Sequence, residues 1–370
     1  MKQKKVTFAD IAAYTGFSKT TISRYFNNPD SITVENQEKI ANALEILNYK
    51  ENKLARVMAN GKTEMVGVIA HALDVLGYQE NKLAKVLANG KSEFVGIIIP
   101  NLYLHYYSEM LNQLLSTYEK YNYKFLVFIG NNKKEIEEKY IHELMAYKIE
   151  GLIVLSNTIS SEELASYKLP VVTIERECDH VCSVSTDNYL GGVQATSLLI
   201  RNNCDVILHI NSIFSDTLPT YGRIQGFEDI CNEHHITHEL IQRNMGNTYQ
   251  ETLAQLKNIF NEIEEKYPAQ KKGVFLANDT YASMFLNLIF QKYGKLPKDY
   301  QIVGFDDSPI ASEAILPITT VGQQIEKIAQ TAMELLVLQM NEMKKRKPTP
   351  LKEPVHKQIT PVLIRRDTTE

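Results

Sequence analysis

The chain has 370 residues, 44% hydrophobic and 23% charged, with a formal net charge of −4; this excludes a single small module and wholesale disorder, and predicts two or three domains with a sizeable core. No apolar run reaches the roughly 18 residues needed to span a bilayer, and four cysteines in so long a chain suit a reducing cytosol better than a disulfide scaffold. The charge is uneven: residues 1–62 hold ten Lys/Arg against six Asp/Glu, a net +4 on a body of −8, and a basic head on an acidic body is a footprint for nucleic acid.

The basic N-terminus MKQKKVTFADIAAYTG runs into an amphipathic pattern containing Asp10 rather than an apolar leader, so a cytoplasmic protein is expected. Thr7 opens a predicted helix over Phe8 to Tyr14, with Asp10 three positions on, and Gly16 breaks it. Ser18 caps a second helix, Lys19 to Phe26, ended by Asn27, Asn28 and Pro29. Thr33 opens a third, in which Ile40, Ala43, Leu44 and Leu47 form a one-sided stripe. Two short helices joined by a tight glycine turn and braced by a third make a helix-turn-helix. Its second helix would enter the major groove N-terminus first, with Ser18, Lys19, Thr20, Thr21, Ser23 and Arg24 toward DNA and Thr7 and Asn27 flanking. Ile22 and Phe26 then face inward.

A tandem repeat follows. Residues 41–69 align with 70–98 at an offset of 29, most positions being identical, as in ENKLARVMANGKTEMVGVI and ENKLAKVLANGKSEFVGII. Two copies are too few for a solenoid, so a local duplication of one joint is expected. Only one copy of its strand can lead the sheet; Phe94 to Ile99 is favoured and Met65 to Ile69 is displaced.

From residue 94 onward, short apolar runs alternate with helical stretches: FVGIIIP, KFLVFIG, GLIVLS, VVTIE, VILHIN, GVFLAN and QIVGFD. Runs apolar on both faces belong to parallel strands covered by helices, so the predicted fold class is α/β, two doubly wound Rossmann-like halves behind an all-α head. The expected domains are 1–62 (head and hinge), 63–93 (duplicated segment) and 94–370 (body). Within the body, 94–187 with 320–345 and 188–319 with 346–370 form the two halves.

VTFADIAAYTGFSKTTISRYFNN resembles the N-terminal signature of the lactose-repressor/galactose-repressor (LacI/GalR) family, and NYKENKLARVMANGKTEMVGVI its hinge and first core strand. GGVQA, GRIQGF, ANDTYA, VGFDDSPIASEAILPITTV and LIRRDTT follow in the family's order. The resemblance implies a repressor with a two-lobed, periplasmic-binding-protein-like body that dimerises and binds an effector, double-stranded operator DNA as partner, and a hinge residue wedged into the minor groove. Met58 and Leu87 occupy that wedge position in the two copies, and either could unstack a base step. Whether the effector is inducer or corepressor stays open, as does a phosphorylated carrier protein as co-regulator.

In such sheets ligands sit outside the carboxyl ends of the strands. Asn101 follows the first strand, with Tyr106 and Tyr107 opening the next helix; Asn278 and Asp279 follow GVFLA, Asp306 ends QIVGFD, and Arg223 lies in the helix after Pro219. By resemblance Arg223, Asn278 and Asp306 match the family's effector contacts. Asp and Arg can each bridge adjacent hydroxyls, which suits a sugar, with a purine or other metabolite as the alternative; Asn278 or Asp279 also suits a plain helix cap.

No GxGxxG after a strand, GxxxxGK[ST], GxSxG or HExxH occurs, so neither enzyme chemistry nor a cofactor is expected. Cys178, His180 and Cys182, and Cys231 with His234, His235 and His238, lack zinc-ligand spacing. A sugar-binding protein without DNA function and a cleft enzyme acting on sugars are the rival readings; the first conflicts with a helix-turn-helix in place of an export signal.

Overall fold

A computed structural model describes residues 7–47, 49, 92–176, 179–213, 215–345 and 353–370. The chain forms two compact units, divided between Lys82 and Leu83. Most of the duplicated segment, including Met58, Leu87, the displaced Met65–Ile69 run and the expected boundary at 62/63, lies outside the described residues.

The first unit contains α1 (Phe8–Thr15), α2 (Lys19–Asn27) and α3 (Val34–Ile46). Gly16 ends α1 in the left-handed conformation, φ 74°, which a side chain would disfavour. Ser18 then caps α2, its Oγ accepting from the Thr21 N–H at 3.1 Å. Each helix supplies one fully buried isoleucine, Ile11, Ile22 and Ile40, and Phe8 stacks on Phe26 at 5.2 Å to close this small core.

The second unit holds two six-stranded sheets. Sheet one contains β1 (Phe94–Ile99), β2 (Lys124–Ile129), β3 (Gly151–Val154), β4 (Val171–Ile174) and β5 (Cys182–Thr186). Sheet two contains β6 (Val206–Ser212), β7 (Thr237–Arg243), β8 (Lys272–Leu276), β9 (Tyr300–Asp306) and β10 (Thr319–Gly322). Each sheet is completed by one late strand: β11 (His356–Ile359) lies parallel beside β5, and β12 (Val362–Ile364) antiparallel beside β10. The orders are β11-β5-β4-β3-β1-β2 and β12-β10-β9-β8-β6-β7, so each sheet has its topological switch beside its first strand.

The helices cover both faces, as strands apolar on both sides require. Those of sheet one are α4 (His105–Ser116), α5 (Tyr118–Tyr121), α6 (Lys134–Ala146) and α7 (Ser161–Ser166). The chain then supplies α8 (Asn188–Arg201), α9 (Gly222–Glu233), α10 (Tyr249–Lys266), α11 (Asp279–Tyr293) and α12 (Pro309–Glu313) to sheet two, and α13 (Ile325–Met343) returns to sheet one. Ile97, Met110, Ile153, Met333 and Leu336 belong to one core; Leu208, Leu256, Val274, Phe285 and Ile302 to another.

The expected division into halves needs correction at its C-terminal pieces. Strand β10, most of it assigned to the first half, pairs in parallel with β9, and β11, assigned to the second half, completes sheet one. The chain therefore passes between the lobes near 187, 323 and 360. TTVG and HKQI are short and rich in hydroxyls or charge, so neither carries the apolar signature of a central strand.

Candidate functional site

Because all strands of sheet one and all but β12 of sheet two run parallel, each sheet presents its strand ends on one side, and those ends converge on a single cavity of about 890 Å³. Its wall takes Asn101 after β1, Asn132 after β2, the 155–160 segment after β3, and Glu175 and Arg176 after β4. From the other lobe come Asn211 and Ser212 at the end of β6, Asn244 and Asn247 after β7, Ala277 and Asn278 after β8, Asp306 ending β9, and Gln323 after β10.

Arg223 reaches this wall because α8 and α9 cross at backbone distance. A Cβ on Gly192 would lie 2.4 Å from the Arg223 carbonyl oxygen, and one on Gly226 2.4 Å from that of Tyr189. The GGVQA and GRIQGF runs are thus packing signals for one helix crossing. The Arg223 guanidinium lies 3.6 Å over the Phe305 ring; its Nε donates to Asn188 Oδ1 and its Nη1 to the Ala277 carbonyl, each at 2.7 Å. Stacking and two bonds fix the fork and leave Nη2 for the cavity.

Asp306 is held with comparable firmness. Gln323 Nε2 donates to its Oδ1 at 2.6 Å, and the Gln323 backbone N–H to its carbonyl at 3.2 Å. Its φ of 113° is a strained value for a residue with a side chain, and Asp307, at φ 55°, is tied by Arg366 at 2.6 Å. Burial pushes the Asp306 carboxyl well above the usual range, against the pull of Arg223. Thr186 donates to Gln323 Oε1 at 2.7 Å, and Glu175 accepts from the Thr186 N–H and, at 2.8 Å, from Asn188 Nδ2. One buried polar chain, Arg223–Asn188–Glu175–Thr186–Gln323–Asp306, therefore runs along the cavity wall and links the two sheets.

Tyr106 and Tyr107 meet edge to face at 5.4 Å in the wall, and the Tyr106 hydroxyl is buried with no hydrogen-bond partner. Asn101 Oδ1 accepts from the Leu104 N–H at 3.2 Å, closing the turn into α4. Burial pushes His209 down to about 3; it is neutral, donating from Nδ1 to the Phe275 carbonyl and accepting from Asn211 Nδ2 at 3.1 Å, which fixes the Asn211 amide.

Six of the seven expected cleft residues thus come together. Asn278 does both things expected of it: its Oδ1 caps α11 through the Tyr281 N–H at 2.8 Å, and it lines the cavity. Asp279 is the correction. It is fully buried away from the wall, accepting from Thr320 Oγ1 at 2.6 Å and from the Ser308 N–H at 2.9 Å. A Cβ at Gly304 would come within 2.3 Å of its Oδ1. At the first position of α11 its side chain turns back under β9, whereas the cap residue before it faces the strand ends. Glu175, Arg176, Gln323 and Asn132 were not expected; the rule that ligands gather at carboxyl ends of strands would have pointed to the pair following VVTI.

In the head, Lys19, Thr20 and Arg24 are exposed on α2 opposite Ile22, Thr21 and Ser23 are half-buried, and Thr7 donates to the Asp10 carboxylate at 2.8 Å from its N–H and 2.6 Å from its hydroxyl. The Asn27 side chain lies outside the described residues. Among the described residues no cluster of three metal-ligating side chains occurs, and no helix is long and apolar enough to cross a membrane.

Residues 7–52 match the family model described as bacterial regulatory proteins, lacI family, and residues 197–369 match the periplasmic binding protein-like domain. The chain therefore carries a lacI-family helix-turn-helix domain followed by a periplasmic-binding-protein-like domain. Among its relatives, the sucrose operon repressor of Streptococcus mutans is 25% identical, with 89% of this chain and 91% of that protein covered. The ribose operon repressor of Halalkalibacterium halodurans is 22% identical, with 90% of each chain covered. A periplasmic binding protein/LacI transcriptional regulator from Alkaliphilus metalliredigens, solved with D-xylulofuranose, superposes with a TM-score of 0.64 at 25% identity, covering 75% of this chain and all of that one. The lac repressor dimer bound to operator shares the fold, TM-score 0.60 at 20% identity over 99% of each chain.

Proposed function

We propose that this protein is a transcriptional repressor that binds operator DNA through α2 as a homodimer and whose operator affinity is set by a sugar in the cleft between its lobes. The observation that carries the reading is the convergence of the strand ends of both sheets on one amide- and hydroxyl-lined cavity, in a chain whose head presents Lys19, Thr20 and Arg24 from a capped helix. A ligand touching both walls favours one arrangement of the lobes, and differential affinity for two arrangements is what couples two sites. The sugar-binding regulators among its relatives support the same assignment. A phosphorylated carrier protein as co-regulator belongs to this reading as an added component of the assay.

The test selects a duplex from a randomised pool with the full chain and measures its affinity with and without sugars. A selected palindromic site whose affinity changes by about 5- to 150-fold with one sugar supports the reading, and the sign of the change separates inducer from corepressor. Equal binding by a protein lacking residues 1–50 overturns it.

A further inference from the structure

Resting on that reading of the cleft, we infer that its ligand is an uncharged saccharide of at least two rings, one held at Tyr106, Arg223 and Asp306 and the next at the asparagine rim of the mouth. The inner station is marked by an orphan group. The Tyr106 side chain is 8% exposed and its hydroxyl has no partner, although a buried hydroxyl is ordinarily satisfied. Beside it, Arg223 retains a free Nη2 edge and Asp306 an oxygen beyond its bond to Gln323. Donor, acceptor and amphoteric hydroxyl in the wall of one cavity match the adjacent hydroxyls of a sugar ring.

The cavity continues well past that station. Its 890 Å³ lies near the top of the roughly 300–1,000 Å³ range of pockets that enclose drug-sized ligands. A single hexose has about half the non-hydrogen atoms of a disaccharide and would leave the mouth empty. That mouth is chemically dressed: Asn132, Asn157, Asn244 and Asn247 are all exposed there, and Asn132 Nδ2 donates to Asn247 Oδ1 across the cleft at 3.2 Å. Each amide offers donors and acceptors in one plane, so the rim can hydrogen-bond a second ring from both lobes.

Charge excludes the phosphorylated sugars. The described wall has neither Lys nor His, and its two arginines face two acids, Glu175 and Asp306. Arg176 already donates to the Ser156 and Ile159 carbonyls and Arg223 to Asn188 and Ala277. A phosphate dianion would add charge beside Glu175 and Asp306, with only the Nη2 edge of Arg223 left to receive it.

Calorimetric titration of the full chain with sucrose, cellobiose and maltose, with glucose and fructose, and with glucose 6-phosphate tests this. At least one disaccharide binds about tenfold or more tightly than its component monosaccharides, and glucose 6-phosphate binds no better than glucose. Asn247→Ala and Asn157→Ala lower the disaccharide-to-monosaccharide affinity ratio about tenfold, whereas Tyr106→Phe weakens both sugars. A monosaccharide bound as tightly as every disaccharide, a preferred phosphate, or rim variants that leave the ratio unchanged overturns the inference. If that monosaccharide also shifts operator affinity, the repressor reading stands without it. If no sugar binds and operator affinity responds to a purine, the sugar class falls in both.

Discussion

Replacing Asp279 separates scaffold from ligand site. Its carboxylate receives the Thr320 hydroxyl, the Ser308 N–H and, at 3.3 Å, the Ser308 hydroxyl, tying the start of α11 to the loop after β9 and to β10. Asp279→Ala strands the Ser308 N–H and the Thr320 hydroxyl in a fully buried place; at about 1–3 kcal/mol for each orphaned group, and less than additive for neighbours, the loss is about 3 kcal/mol. For a body of this size, at about 2 cal/mol/K of unfolding entropy per residue, that lowers the melting temperature by about 5 °C. Asp279→Asn keeps one acceptor for Ser308 and offers an N–H to Thr320 Oγ1, so it recovers most of the loss. Burial raises the Asp279 carboxyl to about 7 from its ordinary 3.8. Folding therefore favours the protonated acid: its stabilisation is fully present below about pH 4 and is lost as pH rises through about 7, so the Asn variant gains on the parent across that window. Thermal unfolding of the three proteins from pH 5 to 8 reads both effects. An Asp279→Ala protein that melts with the parent yet no longer responds to effector would refute this reasoning and return Asp279 to the ligand wall.

Other outcomes follow from the remaining sites. Ser18→Ala removes the α2 cap and destabilises the head by about 1 kcal/mol, measured by urea unfolding of an isolated 1–62 fragment if that fragment folds and of the full chain otherwise. Arg24→Ala or Lys19→Ala weakens operator binding, by about 1–3 kcal/mol where a base contact is lost, in a fluorescence-anisotropy titration. Arg223→Ala abolishes the response to effector while operator binding persists; a normal response would mean that the ligand sits elsewhere. Deleting residues 41–69 or 70–98 leaves one copy of the repeat and is expected to give a folded repressor with stronger effector coupling. A full-length chain already the most strongly coupled of the three would make the extra copy part of the switch.

The head is legible in its sequence because its signals are local: a cap at Ser18, a glycine turn, and the Ile40, Ala43, Leu44, Leu47 stripe at helical spacing. The seven apolar runs likewise announce themselves as strands, all buried but β2, which is half-buried at the edge of sheet one. Cys182–Thr186, Thr237–Arg243 and His356–Ile359 do not, since CSVST, THELIQR and HKQI mix polar and apolar residues, the last two of them at sheet edges where one side meets water. The cleft is half legible for a related reason. Asn101, Asn278 and Asp306 are visible as polar residues closing apolar strands, but the Asn132–Asn247 bridge and the Glu175–Asn188 and Thr186–Gln323 links depend on how two separate sheets meet, which no local pattern encodes.

The threefold passage of the chain between its lobes bears on how the protein is made. Five of the six strands of sheet two come from one contiguous stretch, Val206 to Gly322, and only its edge strand β12 waits for the C-terminal residues. Sheet one begins earlier yet waits longer for inner parts: α13 begins 139 positions after β5 ends (186 to 325) and β11 170 positions after it (186 to 356). At translation rates of about 5–20 residues per second, β5 waits roughly 10–35 s with its outer edge bare and the apolar face that α13 will cover exposed. The first lobe to leave the ribosome thus stays open while nearly all of the second is made, and it spends that interval as the segment most in need of a chaperone.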